Sequence, residues 1–144
     1  MGKVVLITGI TGMVGSHLAD YLLDKTNWQI VGLIRWRSPL DNISHLVPKI
    51  NNEDRITLTY GDLKDEISMD KVVSSIKPDI IFHLAAQSYP KTSFEAPLDT
   101  LDTNVQGTTR LLEAAKKYVP IFLLHVNICR KEGSLSRKKN LEHF

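Results

Sequence analysis

The fold of this chain is decided by the stretch Val4-Val5-Leu6-Ile7-Thr8-Gly9-Ile10-Thr11-Gly12-Met13-Val14-Gly15, an apolar run that ends in three glycines spaced three residues apart. An amphipathic segment, residues 16–23, follows at once. The pattern predicts a strand, a tight turn and the N-terminus of a helix. In that arrangement the first glycine allows the turn, the second lets the backbone approach a phosphate, and the third lets the helix pack on the strand. The stretch therefore predicts a site for the pyrophosphate of a dinucleotide, with a purely structural turn as the alternative.

The composition is that of an ordinary globular domain. The 144 residues are 42% apolar and 24% charged, and the net charge of +2 is too small to favour nucleic acid or a membrane surface as a partner. Cys129 is the single cysteine, which favours a reducing compartment. No apolar run approaches the roughly 18–20 residues that span a bilayer, and the five histidines lack metal-ligand spacing. We therefore expect a cytoplasmic protein without metal, nucleic-acid or membrane partners.

Strand-like and helical runs alternate along the chain. Strands are predicted at residues 3–8, 29–34, 55–60, 80–85 and 121–126, and helices at 12–25, 66–76 and 103–118, with a weaker helix or loop at 40–50. Strands that are apolar on both faces and alternate with helices indicate a parallel sheet covered on both sides. The expected fold is therefore α/β, a Rossmann-type doubly wound parallel sheet of about five strands over residues 1–126. Residues 127–144 form an aperiodic tail, in which positions 128–144 hold five basic and two acidic residues.

Ligands of such sheets bind beyond the carboxyl ends of the strands, so the residues that follow each strand are the candidate site. After the second strand the chain reads Arg35-Trp36-Arg37-Ser38, where NAD-preferring folds carry an acidic residue. A guanidinium group suits a 2′-phosphate, which favours NADP over NAD, with a solvated basic loop as the alternative. Trp36 either covers the adenine or is a partly buried surface aromatic residue.

The third and fourth strands end in further candidates. Asp62 either accepts a hydrogen bond from the adenine amino group or caps the next helix. Residues 84–88 carry mostly small side chains, which suit the path of the pyrophosphate and ribose. Two Tyr-x-x-x-Lys spacings, at residues 21–25 and 60–64, lie far from the middle of the sheet, so we interpret neither as catalytic. His83 and His125 fall within predicted strands and are interpreted as core or edge residues.

Five motifs together resemble one family. They are Thr8 to Gly15, Arg35-Trp36-Arg37-Ser38, Gly61-Asp62-Leu63, His83-Leu84-Ala85-Ala86-Gln87-Ser88-Tyr89 and residues 104–115. The chain resembles the extended short-chain dehydrogenase/reductases over residues 3–118, and within them the GDP-mannose 4,6-dehydratases and related nucleotide-sugar dehydratases. Most specific are the Arg-x-x-Ser and Leu-Ala-Ala-Gln-Ser segments.

The resemblance implies an NADP-binding Rossmann domain of an enzyme that acts on a nucleotide sugar such as GDP-mannose. In these enzymes the cofactor takes hydride from C4 of the sugar, water leaves across C5–C6, and the hydride returns to C6. By position, the resemblance assigns cofactor binding to Gly9, Ile10, Thr11, Gly12, Met13, Val14, Arg35, Ser38, Asp62, Leu63, Leu84, Ala85, Ala86, Gln87 and Ser88. Where the family often has a cofactor-contacting tyrosine, this chain has Asp99.

After the fifth predicted strand the chain departs from the family. Aligned on Gly133, the family pattern Ser-Ser/Thr-x-Glu-x-Tyr-Gly is replaced here by Asn127, Ile128, Arg130 and Glu132. Isoleucine offers no hydrogen bond, and arginine does not abstract a proton at neutral pH. The family's Tyr-x-x-x-Lys helix and its sugar-binding domain are also missing, so we expect no catalytic residue and no substrate domain in this chain.

Three hypotheses follow. The first is the N-terminal part of a nucleotide-sugar 4,6-dehydratase, truncated or frameshifted and inactive alone. The second is a non-catalytic NADP-binding module. The third is a protein-interaction fragment, because the family pairs its long helix across a dimer. The face of helix 103–118 that bears Val105, Leu111, Leu112 and Ala115 is then partly bare, and a homo-oligomer through this helix is possible.

Overall fold

The structure is a computed structural model that describes residues 2–52 and 55–119 and the backbone of residues 123–125. Strands and helices alternate in it as expected. In chain order the elements are β1 (Val4–Thr8), α1 (Met13–Lys25), β2 (Gln29–Ile34), a 3₁₀ helix (Asp41–Leu46), α2 (Val47–Asn51), β3 (Ile56–Tyr60), α3 (Glu66–Ile76), β4 (Ile80–His83), α4 (Pro90–Glu95), α5 (Pro97–Leu101), a π-helical turn (Asp102–Gln106), α6 (Gly107–Tyr118) and β5 (Leu123–His125).

The strands form one parallel sheet in the order β3-β2-β1-β4-β5. The chain first adds strands on one side of β1 and then returns to add β4 and β5 on the other side. The strand order therefore reverses between β1 and β4, and in doubly wound folds the ligand crevice opens at such a reversal. The predicted α/β fold class is confirmed.

Helices cover both faces of the sheet because β1 alternates its side chains between two cores. Val5 and Ile7 lie in a cluster with α1 and the 3₁₀ helix on one face. Leu6 lies in a second cluster with α3 and α6 on the other face. All three side chains are fully buried. Burial on both faces is what turns β1 into a continuous apolar run rather than an alternating one.

Helix α3 shows how local sequence sets the ends of an element. Asp65 is its N-cap and accepts a hydrogen bond from the Ser68 N–H at 3.0 Å. At the other end Lys77 adopts a left-handed conformation with φ of 47° and donates its N–H to the Val73 carbonyl at 2.8 Å. Pro78, which follows, cannot continue a helix. The cap pair and the proline together place α3 between β3 and β4.

Four details differ from the sequence-based expectations. The fourth strand ends at His83 rather than at residue 85, and the weak helix at 40–50 is a 3₁₀ helix followed by α2. In the sequence, Ile67 shares the helical period of Met69, Val72, Val73 and Ile76, which predicts one apolar stripe on α3, but Ile67 is 75% exposed. Leu111 was expected on a bare face of the long helix, but it is fully buried in the second core. A helical period places residues on a stripe only to within one side chain, so these edge assignments depend on which neighbours pack there.

The predicted tail, the family's catalytic positions and the single cysteine lie outside the described residues, as does the side chain of His125.

Candidate functional site

A cleft of about 470 Å³ opens at the carboxyl ends of β1, β2, β3 and β4. It is lined by the turn after each of these strands and by residues of α5 and the π-helical turn. The lining residues are Gly9, Thr11, Gly12, Met13, Val14, Gly15, Leu33, Ile34, Arg35, Ser38, Gly61, Asp62, Leu63, Lys64, Leu84, Ala85, Ala86, Gln87, Ser88, Asp99 and Thr103. Every residue to which the family resemblance assigns cofactor binding lines this cleft except Ile10.

The glycine turn needs its glycines for two different physical reasons. Gly9 has a φ of 75°, and a Cβ there would come within 2.8 Å of the Ala85 nitrogen. A Cβ at Gly15 would approach the Gly9 carbonyl oxygen to 2.2 Å, so this glycine lets α1 pack on the turn. At Gly12 the nearest atom would be the same oxygen at 3.2 Å, and the residue is exposed toward the cleft. Gly12 therefore leaves backbone open at the place where a phosphate would approach.

The N-terminus of α1 faces this opening. Met13 and Val14 lie in the first turn, where N–H groups have no carbonyl four residues back within the helix. The first turn carries no acidic side chain, and its only inward hydroxyl, that of Ser16, donates to the Met13 carbonyl at 2.9 Å. Free N–H groups and the positive end of the helix dipole make this turn suited to an anion.

Arg35 and Ser38 are held together by a tight turn at the end of β2. The Arg35 N–H donates to the Ser38 hydroxyl at 3.0 Å, and the Ser38 N–H donates to the Arg35 carbonyl at 3.0 Å. Both bonds use the backbone of Arg35, which leaves its guanidinium group available at the cleft. Trp36 is 77% exposed and packs against Tyr60 with ring centroids 5.6 Å apart. Neither aromatic residue lines the cleft, and the exposure of Trp36 contradicts the alternative of a partly buried surface residue.

Asp62 is a turn residue and not the cap of α3, because Asp65 takes that position. An Asp62 carboxylate oxygen accepts the Lys64 N–H at 3.0 Å, and the Asp62 N–H donates to the Ser68 hydroxyl at 3.2 Å. These bonds fix the turn after β3 at the cleft. The N-cap alternative considered from the sequence is therefore wrong.

Residues 84–88, which follow β4 and form one wall of the cleft, are hydrogen-bonded to Thr8 and Asn104. The Thr8 hydroxyl oxygen accepts the N–H groups of Leu84 and Ala85, each at 3.2 Å. Asn104 pairs with the backbone of Gln87 in both directions, accepting its N–H at 2.7 Å and donating to its carbonyl at 2.9 Å. The Leu84 N–H also donates to the Thr8 carbonyl at 3.1 Å, so backbone and side-chain partners together fix this segment.

His83 bridges β1 and α6 beneath this wall. Its Nδ1 lies 2.7 Å from the Thr8 hydroxyl and its Nε2 lies 3.0 Å from the Thr108 hydroxyl. The Thr108 hydroxyl donates to the Asn104 carbonyl at 2.6 Å, so it accepts from His83 Nε2–H, and Nδ1 accepts from Thr8. His83 is fully buried, which confirms the prediction of a core histidine.

Ile10 is the one predicted site residue that the structure places elsewhere. Its side chain is fully buried in the first core and lies over Gly32 of β2, where an added Cβ would come within 2.6 Å of Ile10 Cδ1. Ile10 therefore packs the glycine turn against the sheet, and its side chain does not line the cleft.

An ion pair that no local sequence pattern predicts lies at the cleft. Lys64 Nζ and Asp99 Oδ1 form a salt bridge that joins the turn after β3 to α5, and both residues line the cleft. Lys64 follows a predicted strand end, which is a usable signal. Its partner lies 35 residues further along the chain, and no local pattern predicts that contact.

The long helix is only partly bare. Val105 is 53% exposed and Leu112 is 44% exposed, whereas Leu111 packs inward. In the part of the chain that the structure describes, no group of three or more His, Cys, Asp or Glu side chains could hold a metal ion. None of the described helices is long and apolar enough to cross a membrane.

Comparison with known proteins decides the family. A model of the family described as GDP-mannose 4,6 dehydratase matches residues 6–127. The chain belongs to the GDP-mannose 4,6-dehydratase family. Among members of this family, the enzyme of Drosophila melanogaster is 42% identical over 118 residues, which are 79% of this chain and 30% of the relative. The Homo sapiens enzyme is 42% identical over 123 residues, 81% of this chain and 33% of the relative.

A solved structure has a similar fold. The Bordetella bronchiseptica enzyme WbmH, crystallised in complex with NAD+, superposes with a TM-score of 0.64 at 26% identity. The match covers 82% of this chain and 36% of WbmH. The chain thus spans about a third of the length of the curated relatives and of WbmH.

Proposed function

We propose that this chain is the N-terminal, NADP-binding part of a nucleotide-sugar 4,6-dehydratase that acts on GDP-mannose. The observation that carries the proposal is that the glycine turn and the Arg35–Ser38 turn open into one cleft at the strand reversal. A nicotinamide dinucleotide is further supported by the NAD+ complex of WbmH. The choice of NADP over NAD rests on Arg35, because a guanidinium group pairs with a 2′-phosphate.

The described residues fit such a cofactor. In the proposal the backbone of Gly9, Thr11 and Gly12 and the free N–H groups of Met13 and Val14 bind the pyrophosphate. The cleft needs its glycine here, since a Cβ at Gly9 would collide with the wall after β4.

The remaining cleft residues divide between the two ends of the cofactor. Arg35 and Ser38 bind the 2′-phosphate, while Asp62 and Leu63 flank the adenine. Residues 84–88, held by Thr8 and Asn104, form the wall beside the pyrophosphate and ribose. Ile10 acts in this proposal from beneath the turn.

Bound NADP supplies a hydride acceptor and donor for the dehydration. The described residues bind and orient it, and we assign none of them a catalytic role. The activity itself is proposed for the whole protein, because this chain spans 30–33% of the curated relatives. We further propose a cytoplasmic location, a cofactor domain at residues 1–126 and a separate tail at 127–144.

A second copy of the chain is the other proposed partner, through helix 103–118. Val105 and Leu112 support this proposal, because they leave apolar surface on the outer face of α6 and the turn before it. Sedimentation velocity of the wild type and of Leu112→Glu tests it. The proposal expects a dimer that the glutamate disrupts, and a wild-type monomer at all concentrations would refute it.

Calorimetric titration with NADPH and NADH tests the cofactor proposal. NADPH is expected to bind more tightly than NADH. At 100 times its dissociation constant it should add about 2.7 kcal/mol to the free energy of unfolding. A melting temperature unchanged by saturating NADPH would refute the proposal.

A further inference from the structure

The segment that follows the Arg35–Ser38 turn contacts both α1 and the glycine turn, and we call it the strap. It is the 3₁₀ helix Asp41–Leu46, and it is anchored by Ile43 and Leu46, which are 0% and 1% exposed. Both side chains lie in the same core cluster as Ile10. His45 adds a contact from the strap to Asp20 of α1, with Nε2 2.9 Å from each carboxylate oxygen. The strap therefore sits in a fixed position beside the glycine turn.

One side chain of the strap reaches the glycine turn itself. Asn42 donates from Nδ2 to the carbonyl oxygen of Thr11 at 2.8 Å. The same peptide unit ends in the Gly12 N–H, which donates to the Gly9 carbonyl at 3.0 Å. Both polar ends of the Thr11–Gly12 peptide are thus bonded, so its plane is fixed.

The plane of this peptide matters because glycine resists rotation less than any other residue. If the Thr11–Gly12 peptide turned over, its carbonyl oxygen would change direction just before the first turn of α1. A carbonyl oxygen directed into the cleft would repel a phosphate there and compete with the N–H groups of Met13 and Val14. The contact from Asn42 holds that oxygen on the strap side.

We propose that Asn42 is a positioning residue that clamps the Thr11–Gly12 peptide and thereby keeps the turn receptive to the pyrophosphate. The inference rests on the proposed function. It assigns a role to a residue 31 positions from its partner, outside the cleft lining. Arg35 and Asn42 then have different roles in cofactor binding. Arg35 binds the 2′-phosphate of NADPH, whereas Asn42 positions the turn that binds the pyrophosphate, which NADPH and NADH share.

Two variants and one control test the clamp. Asn42→Ala removes the donor, and Asn42→Asp replaces it with a group of the same shape that only accepts hydrogen bonds when ionised. Ser44→Ala changes an exposed residue of the same 3₁₀ helix and is the control. Asn42→Ala should lower the affinity for NADPH and the affinity for NADH by the same factor, about 5–10-fold, as for one lost hydrogen bond. Asn42→Asp should weaken both at least as much, and Ser44→Ala should weaken neither.

Adenosine 2′-monophosphate, which has no pyrophosphate, distinguishes a clamp from a general loosening of the strap. Its affinity should stay within about twofold in Asn42→Ala if one hydrogen bond to the turn is all that is lost. A loss for this nucleotide as large as the loss for NADPH would overturn the proposal, because the strap as a whole would then have moved.

Amide hydrogen exchange gives a readout that needs no cofactor. In Asn42→Ala the Gly12 amide should exchange about tenfold faster, since opening of the turn then breaks one hydrogen bond fewer. The Thr26 amide, bonded to the Leu22 carbonyl at the far end of α1, should keep its rate. Unchanged exchange at Gly12 would overturn the clamp, whereas a wild type that binds neither NADPH nor NADH would instead refute the proposed function.

Discussion

Removal of the Arg35 side chain should change the choice between NADPH and NADH without disturbing the fold. Arg35 lines the cleft at the end of β2, and the two hydrogen bonds of this turn use only the Arg35 backbone and Ser38. Arg35→Ala therefore keeps the turn and deletes the cation. We expect a melting temperature within about 2 °C of the wild type, as for a surface substitution.

The size of the effect follows from the kind of contact. A hydrogen bond between charged groups contributes about 1.5–3 kcal/mol. A loss of about 2 kcal/mol of binding free energy raises the dissociation constant roughly 30-fold. Arg35→Ala should lower the affinity for NADPH by about this factor. It should lower the affinity for NADH by less than about threefold, since NADH has no 2′-phosphate. Arg35→Asp should weaken NADPH further, because a carboxylate repels the phosphate.

Calorimetric titration of both nucleotides into the same preparations measures this ratio. Arg37→Ala is the matched control, because Arg37 belongs to the same loop but does not line the cleft. It should leave the ratio of NADPH to NADH affinity within about twofold of the wild type, as expected for a cation without a direct contact. Equal losses of NADPH and NADH in Arg35→Ala would show that Arg35 does not meet the 2′-phosphate.

Two further predictions concern the contact between α3 and α6. Leu111→Ala should lower the free energy of unfolding by about 2–5 kcal/mol in urea titrations, because the side chain is fully buried. Leu112→Ala, at a position 44% exposed, should lower it by less than about 1 kcal/mol, and equal effects would contradict the packing described. Asp70 accepts a hydrogen bond from Lys117 Nζ at 2.8 Å, which holds the pKa of its carboxyl below the ordinary value of 3.8. Its contribution to stability is therefore present above pH 3.8 and is lost as the pH falls through the lowered pKa. Urea titrations from pH 7 to 2 should show Asp70→Asn less stable than the wild type at pH 7, with the difference shrinking below pH 3.8. A difference that does not change with pH would refute the ion pair.

Most of the fold could be predicted from local pattern. Three strands were predicted to within about one residue, because apolar runs bounded by glycine, proline or charge are strong signals. The errors fell at edges. Ile67 matched the period of α3 but lies one side chain beyond the contact with the sheet. The period of a helix defines a stripe, and only the position of the neighbouring helix decides how wide the buried part of that stripe is.

The residues of the cleft could be predicted where candidate binding residues directly follow a strand. Arg35, Asp62 and residues 84–88 were found in this way, because parallel strands bring their carboxyl ends to one edge. Ile10 does not line the cleft, and the sequence could not indicate this, because its burial depends on the absence of a side chain at Gly32, on another strand. The Tyr-x-x-x-Lys spacing at residues 60–64 is interpreted as non-catalytic, and it gives no indication of where its two side chains lie. Tyr60 packs against Trp36, whereas Lys64 forms the ion pair with Asp99 at the cleft.

The sequence by itself determined the strand–turn–helix unit, the doubly wound sheet and the residue types that follow the strands at the cleft. These features depend on neighbours a few residues apart, where backbone geometry links pattern directly to structure. Only the tertiary structure decided how the turns are held. The Asn42 contact with Thr11, the Asn104 pair with Gln87 and the His83 bridge each join residues 17 or more positions apart. Such contacts are made when separate elements pack, so no local pattern specifies them.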